Sequence, residues 1–326
     1  MTWLVWRQHR SQAYFGAAAL AVLAVLLLVT GWQMASQYHS ALASCAASKT
    51  CGSLAATLSL GSPLLSTLVT LTLAVPCLLG LFWGGPLVAR ELETGTSQFA
   101  WMQSVTRRRW LTVKTGWVLL AAVAWAGAVS ALVTWWSGPQ NALSHWKFNP
   151  GKFDIQGIVP VGYALFAVAL GIAAGTLLRR TLPALAVTLG VFAALRLLIE
   201  SFVRPHYMTA LTTTFSLLHP VTPAGSYWQV GNGVISPGGQ KYPSGGVITG
   251  GLPVTNNNIP SACRSLLGQG PRNLISCVSA HGYRGYITYQ PASRYWAFQG
   301  IETGIFIVLT AALLAVTAIV VLRRDA

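Results

Sequence analysis

Six long apolar stretches divide the chain, at residues 13–32, 64–88, 111–136, 159–178, 182–203 and 300–322. Each has the ~20 residues that a helix needs to cross a hydrocarbon core of roughly 30 Å. Inside that core every backbone group must find a partner within the chain, which a continuous apolar run does as a helix. A six-strand barrel would need alternation, and these runs have none. The expected fold class is therefore an all-α integral membrane protein with six transmembrane helices. Composition agrees, since 53% of the 326 residues are hydrophobic and 8% are charged, outside the range of ordinary soluble domains. No small-residue cleavage site follows the first stretch, so it is expected to stay as a span rather than leave as a signal peptide.

The formal net charge of +15 raises nucleic acid as a partner, but the basic residues flank the spans instead of forming one patch. Topology explains them. Arg7 and Arg10 precede the first span, Arg90, Arg107, Arg108, Arg109 and Lys114 surround the second-to-third connection, Arg179 and Arg180 form the next short turn, and Arg323 and Arg324 end the chain. By the positive-inside rule these regions are cytoplasmic, which puts both termini inside and makes membrane lipid the surrounding partner. Residues 1–12, where Trp3 and Trp6 alternate with Arg7 and Arg10, read as an interfacial helix on that surface. Trp32, Trp135, Trp136 and Trp296 read as an outer aromatic belt, and Trp83, Trp101, Trp110 and Trp117 as an inner one.

Residues 13–203 carry spans one to five, 204–296 an extracellular cap, and 297–326 the sixth span and tail. The cap segment is rich in Gly, Pro, Ser, Asn and Tyr and is too long for a plain connection. Residues 231–258 read as turns and loop, 211–218 and 262–267 as short helices, and 283–289 as a small strand. Cys45, Cys51, Cys263 and Cys277 all fall outside and Cys77 inside the second span. Pairing within each loop is the simplest of three connectivities on an oxidising face. A zinc site is not expected, because no histidine is read at ligand spacing from these cysteines.

Within the second span Pro76 predicts a kink, with Gly80, Gly84 and Gly85 close by; a moving hinge and a static bend are both open. Gly171 and Gly175 form a G-x-x-x-G pair in the fourth span that permits close helix approach. Arg196 and Glu200 stand four residues apart in the fifth, on one helical face, as a mutually compensating pair or the lining of a polar path or dimer seam. Glu302 opens the sixth span, where an acid suits the helix dipole and could also face a central cavity.

Chemistry within the chain is hard to find. No G-x-x-x-x-G-K-[ST] occurs, since Gly151-Lys152 is followed by Phe153, and neither H-E-x-x-H nor G-x-S-x-G appears. His206, His219 and His281 read as surface residues. No catalytic residue, metal or cofactor is therefore assigned to the chain itself.

The most informative segment follows the second span. It reads Arg90-Glu91-Leu92-Glu93-Thr94-Gly95-Thr96, then Phe99, Met102-Gln103 and Arg107-Arg108-Arg109, with Lys114 beyond. Gly95 allows a sharp turn, Thr94 or Thr96 can cap a helix at about 95–106, and Phe99 and Met102 share its face. These residues resemble the permease subunits of type 2 ATP-binding-cassette (ABC) exporters, in which E-x-E-x-G-T leads into a coupling helix, a basic cluster and a lysine entering the third span. Ser104-Val105 stands where many relatives have a proline. The Ala- and Gly-rich composition, with runs such as Gln290-Pro291-Ala292-Ser293-Arg294-Tyr295-Trp296, is similar to small exporters of high-GC soil bacteria.

The resemblance implies a multi-pass protein of a bacterial plasma membrane that exports a hydrophobic or amphipathic compound. It implies two ATPase subunits, which bind ATP and Mg, and a second permease chain, with a homodimer as the expected arrangement. Arg90, Glu91, Glu93, Gly95, Thr96, Phe99, Met102 and Arg107 would then be the ATPase-coupling residues. The other reading is a non-transporting anchor or sensor whose outer cap binds a ligand.

Overall fold

The computed structural model describes residues 2–48, 63–95, 106–143, 148, 150–220, 223, 227–243, 260–266 and 271–323. Six helices in it are long and apolar enough to cross a membrane: Tyr14–Ser44, Thr67–Glu93, Arg107–Trp136, Val159–Leu178, Thr181–His206 and Ala292–Arg323. The first of these belongs to one uninterrupted helix, Thr2–Ser48, so no break separates the expected interfacial helix at 1–12 from the first span. The chain divides into two units. One comprises residues 1–144, 150–204 and 296–326, and the other 145–149 and 205–295.

The fourth span is the core of the helical unit. In its most apolar stretch 78% of the residues are buried, against 39% for the second span. It is built for this, with Ala164, Ala167, Ala169, Ala173, Gly171 and Gly175 giving it a thin profile. The second span meets it backbone to backbone. Its helix turns wide over Gly80–Gly84, where the ring closes one residue later than in an α-helix. A Cβ on Gly80 would sit 2.6 Å from the Ala167 carbonyl oxygen, one on Gly84 2.5 Å from that of Val168, and one on Gly171 2.5 Å from that of Gly80. The Gly171/Gly175 pair and the glycines around Pro76, two separate sequence features, are thus the two sides of one seam.

The third span packs on the first through indoles. Trp125 Nε1 donates to the Gly16 carbonyl at 3.1 Å and Trp136 Nε1 to Thr30 Oγ1 at 3.0 Å. Trp136 and Trp110 are buried, which removes them from the aromatic belts, whereas Trp32, Trp117, Trp135 and Trp296 are exposed. A buried indole needs a partner for its N–H, and Trp136 has one in Thr30.

The six apolar helices agree with the expected all-α membrane class, and the second unit adds a sheet to it. It holds a four-stranded antiparallel sheet in the order β1-β4-β2-β3, with β1 Leu211–Ser216, β2 Tyr227–Ile235, β3 Lys241–Pro243 and β4 Arg284–Pro291. The expected helix at 211–218 is therefore mostly a strand, and part of the expected loop at 231–258 is strand as well. Thr212, Thr213 and Thr214 explain the first error, since β-branched side chains suit a pleated surface. The strand expected at 283–289 is β4, and the short helix expected at 262–267 is a 3₁₀ helix over Ser261–Leu266. Cys263 and Cys277 form a disulfide beside Leu274 and Val278. The Cys45–Cys51 pairing lies outside the described residues.

The run from Gln290 to Trp296 gains a physical role in this unit. Gln290, fully buried, donates from Nε2 to the Met208 carbonyl at 2.7 Å. Arg294 Nη1 donates to the Thr209 carbonyl at 2.6 Å and to Gln290 Oε1 at 2.7 Å. The run thus ties the end of β4 to the chain that leads into β1.

Candidate functional site

Two polar assemblies stand at opposite ends of the fifth span. The first grows from the E-x-E segment. The second-span helix runs to Glu93, and Thr94 closes it, its amide and hydroxyl both donating to the Arg90 carbonyl at 3.0 and 2.8 Å. Gly95 follows at φ +72°, the left-handed position that ends a helix cheaply only for glycine. Thr94 is thus a C-terminal cap and not the start of a new helix. Thr106, in extended backbone, opens the third span by accepting from the Arg109 amide at 3.4 Å. Thr96, Phe99, Met102 and all but the edges of the expected helix at 95–106 lie outside the described residues. Arg90 is exposed, and Arg107 starts the third-span helix.

Both glutamates are engaged within the chain. Glu91 accepts from Lys114 Nζ, a buried ammonium that also lies 5.0 Å from the centroid of the Trp110 ring. Glu93 Oε2 accepts from the Thr181 amide at 3.0 Å and the Thr181 hydroxyl at 2.7 Å. That amide is one of the unpaired donors at the start of the fifth-span helix, so the carboxylate satisfies it and suits the dipole. The four-five turn is short because Arg179 adopts φ 53°, closing the fourth span, and Arg180 is extended.

The second assembly is buried. Arg204 Nε donates to Glu302 Oε2 at 2.8 Å and its Nη2 to Glu302 Oε1 at 2.6 Å. The same Nη2 reaches Asp154 Oδ1 and, at 3.1 Å, the Tyr163 hydroxyl. Tyr163 Oη lies 3.0 Å from Asp154 Oδ1 and 2.5 Å from Glu302 Oε1, with one proton to donate. Arg196 Nη2 closes the group on Asp154 Oδ2 at 2.8 Å, while its Nη1 donates to the Leu73 carbonyl at 3.1 Å. Two guanidinium groups thus balance two carboxylates, and the Tyr163 ring lies 5.0 Å from Arg196. Charges in so apolar a setting persist only when paired in this way.

This corrects two sequence expectations. Arg196 turns to Asp154 instead of Glu200; the fifth-span helix widens to a π turn over Ile199–Val203, and Glu200 sits half-buried in it. Glu302 does not open the sixth span, whose helix begins at Tyr295, but lies two turns inside it and pairs with Arg204. The terminal position belongs to Gln299 in another sense. Its Oε1 accepts from the Ile158 and Val159 amides, each at 2.9 Å, and its Nε2 donates to the Phe153 and Gln156 carbonyls, each at 3.1 Å. The sixth span therefore caps the fourth. Gly157, at φ +74°, leaves room for this amide, since a Cβ there would sit 2.7 Å from Gln299 Oε1.

Asp154, Tyr163, Arg204, Gln299 and Thr181 were not singled out from the sequence. Scarcity was the available signal: with six acidic residues in the whole chain, an Asp beside an apolar span has to answer a charge. In the second unit, Cys263, Cys277 and His281 place possible metal-ligand atoms within 4.8 Å of one another. A histidine therefore does flank Cys277 at helical spacing, contrary to the sequence reading. The disulfide takes up both sulfurs, and a metal ligand needs a free thiolate.

Six apolar helices, joined by a glycine seam and two polar ties, make this a multi-pass membrane protein. Residues 17–204 match the family described as ABC-2 membrane transporter related, and the chain belongs to that family. It is an ABC-2 type permease, the membrane subunit of an ABC transporter, and the family implies an ATPase partner. No curated protein matches the chain, and no solved structure matches it.

Proposed function

We propose that this chain is the permease subunit of an ABC exporter in a bacterial plasma membrane, moving a hydrophobic or amphipathic compound outward. Two copies pair in the membrane. Two separate ATPase subunits bind ATP and Mg, and they dock on the cytoplasmic side against the segment between Gly95 and Thr106. ATP binding favours one of two arrangements of the spans and hydrolysis the other, so directional movement comes from differential stabilisation. The observation that carries the reading is the E-x-E-x-G-T segment at the end of a second span that packs on the buried fourth, inside a chain whose residues 17–204 match the family.

Affinity purification of the full chain from membranes of its own host tests it. A nucleotide-binding subunit should co-purify, the pair should hydrolyse ATP in nanodiscs, and the chain alone should not. Recovery of a kinase or regulator in its place would favour the sensor reading, which the disulfide-tied sheet unit motivates. Hydrolysis by the isolated chain would overturn both.

A further inference from the structure

The spacing of the two glutamates carries information of its own. Residues two apart on a helix point about 200° away from each other, because each residue turns ~100°. Glu91 and Glu93 therefore leave the second-span helix on opposite sides. One side meets Lys114 of the third span and the other meets Thr181 of the fifth. A single intervening residue is what lets one helix end grip two neighbours.

The grip sits at a mechanically weak place. Gly95 at φ +72° and Thr106 in extended backbone are the non-helical joints on either side of segment 96–105. A push that reached the two helix ends through such backbone turns alone would be absorbed by bending at them. The Glu91–Lys114 pair joins the two helices inside those joints. Lys114 is 4% exposed, and its ammonium cannot leave the carboxylate without becoming a buried, uncompensated charge.

We propose that Lys114 and Thr181 are positioning residues for coupling. With Glu91 and Glu93 they bind the second, third and fifth spans into one body at the helix ends that flank residues 96–105 in sequence, and a push delivered to those ends moves three spans together. The two glutamates are thus internal ties and not the surface that the ATPase touches. The structural half of this stands on the chain alone; its functional consequence rests on the permease reading above.

The test uses the full chain in nanodiscs. Thr181→Pro removes both donors to Glu93 while suiting the site, because Pro is favoured at the first helical position and Arg180 before it is already extended at φ −135°, ψ 132°. Thr181→Pro and Glu93→Gln should each speed exchange of the Leu182, Ala184, Leu185 and Ala186 amides about tenfold, and the double variant should add nothing. Lys114→Met should lower the melting temperature by roughly 5 °C, and Glu91→Met added to it should recover most of the loss.

In the complex with the co-purified ATPase, each single variant should keep the subunit bound and lose about tenfold in coupled hydrolysis, the size of a typical coupling between sites. Release of the ATPase by Glu93→Gln, with exchange and hydrolysis unchanged in Thr181→Pro, would overturn the proposal and assign the carboxylate to the partner. Should wild type bind no ATPase, the permease reading falls, while the exchange and melting data still decide whether the ties exist.

Discussion

The fifth span begins at an exposed tie and ends at a buried one, with about 35 Å of helix between them. At Thr181 one carboxylate receives a helix-end amide and a hydroxyl in contact with solvent. At Arg204 two carboxylates, two guanidinium groups and a phenol form a network whose key side chains, Arg204, Asp154 and Glu302, are each 1% exposed. Water can compete for the partners at the first end, so that tie is the weaker of the two. At the second end each charge is held by others that have given up hydration, so opening one pair strands the rest. The contrast teaches where such a helix can move: its Thr181 end is tied to the second span and travels with it, and its Arg204 end anchors the fourth, fifth and sixth spans.

The sharpest way to break that contrast is Arg204→Met. It leaves Asp154 and Glu302 buried without their shared guanidinium, and a loss of about 3–5 kcal/mol is expected in reversible unfolding of the purified chain. A loss under 1 kcal/mol would mean that the network is hydrated and no anchor. Opening the Cys263–Cys277 disulfide with Cys263→Ser should cost about 3 kcal/mol for a loop of this length, read as faster exchange within β1–β4. No residue of either tie belongs to that unit, so the variant is a control for global loosening. Gln299→Leu should cost about 2 kcal/mol, because the Ile158 and Val159 amides lose their acceptor, with faster exchange of those two amides as the readout. The smallest effect is expected from Glu93→Gln, a shift in melting temperature that shrinks as salt is raised. If it instead matched Arg204→Met and ignored salt, the two ends would not differ as described.

The spans were legible because a hydrocarbon core demands ~20 apolar residues and little else looks the same. Contacts across the fold were far less so. Helical spacing offers Glu200 to Arg196, whereas Asp154 is 42 residues away in sequence and meets Arg196 only after the fourth and fifth spans pack. The π turn at Ile199–Val203 also shifts the face on which later residues fall. The E-x-E segment was recognisable, but spacing alone could not say whether the carboxylates face a partner or neighbouring helices. In the second unit the β-branched run Thr212–Thr214 outweighs the helical spacing of the apolar residues around it, and the segment is a strand.

The meeting of the second and fourth spans at Gly80, Gly84, Gly171 and Gly175 has a consequence for motion. Helices that mesh through branched side chains click between registers, one ridge at a time. Here main chain rests on main chain, with hydrogen atoms where teeth would be. Such a surface resists any added methyl group, yet offers no notch against gliding along its own length.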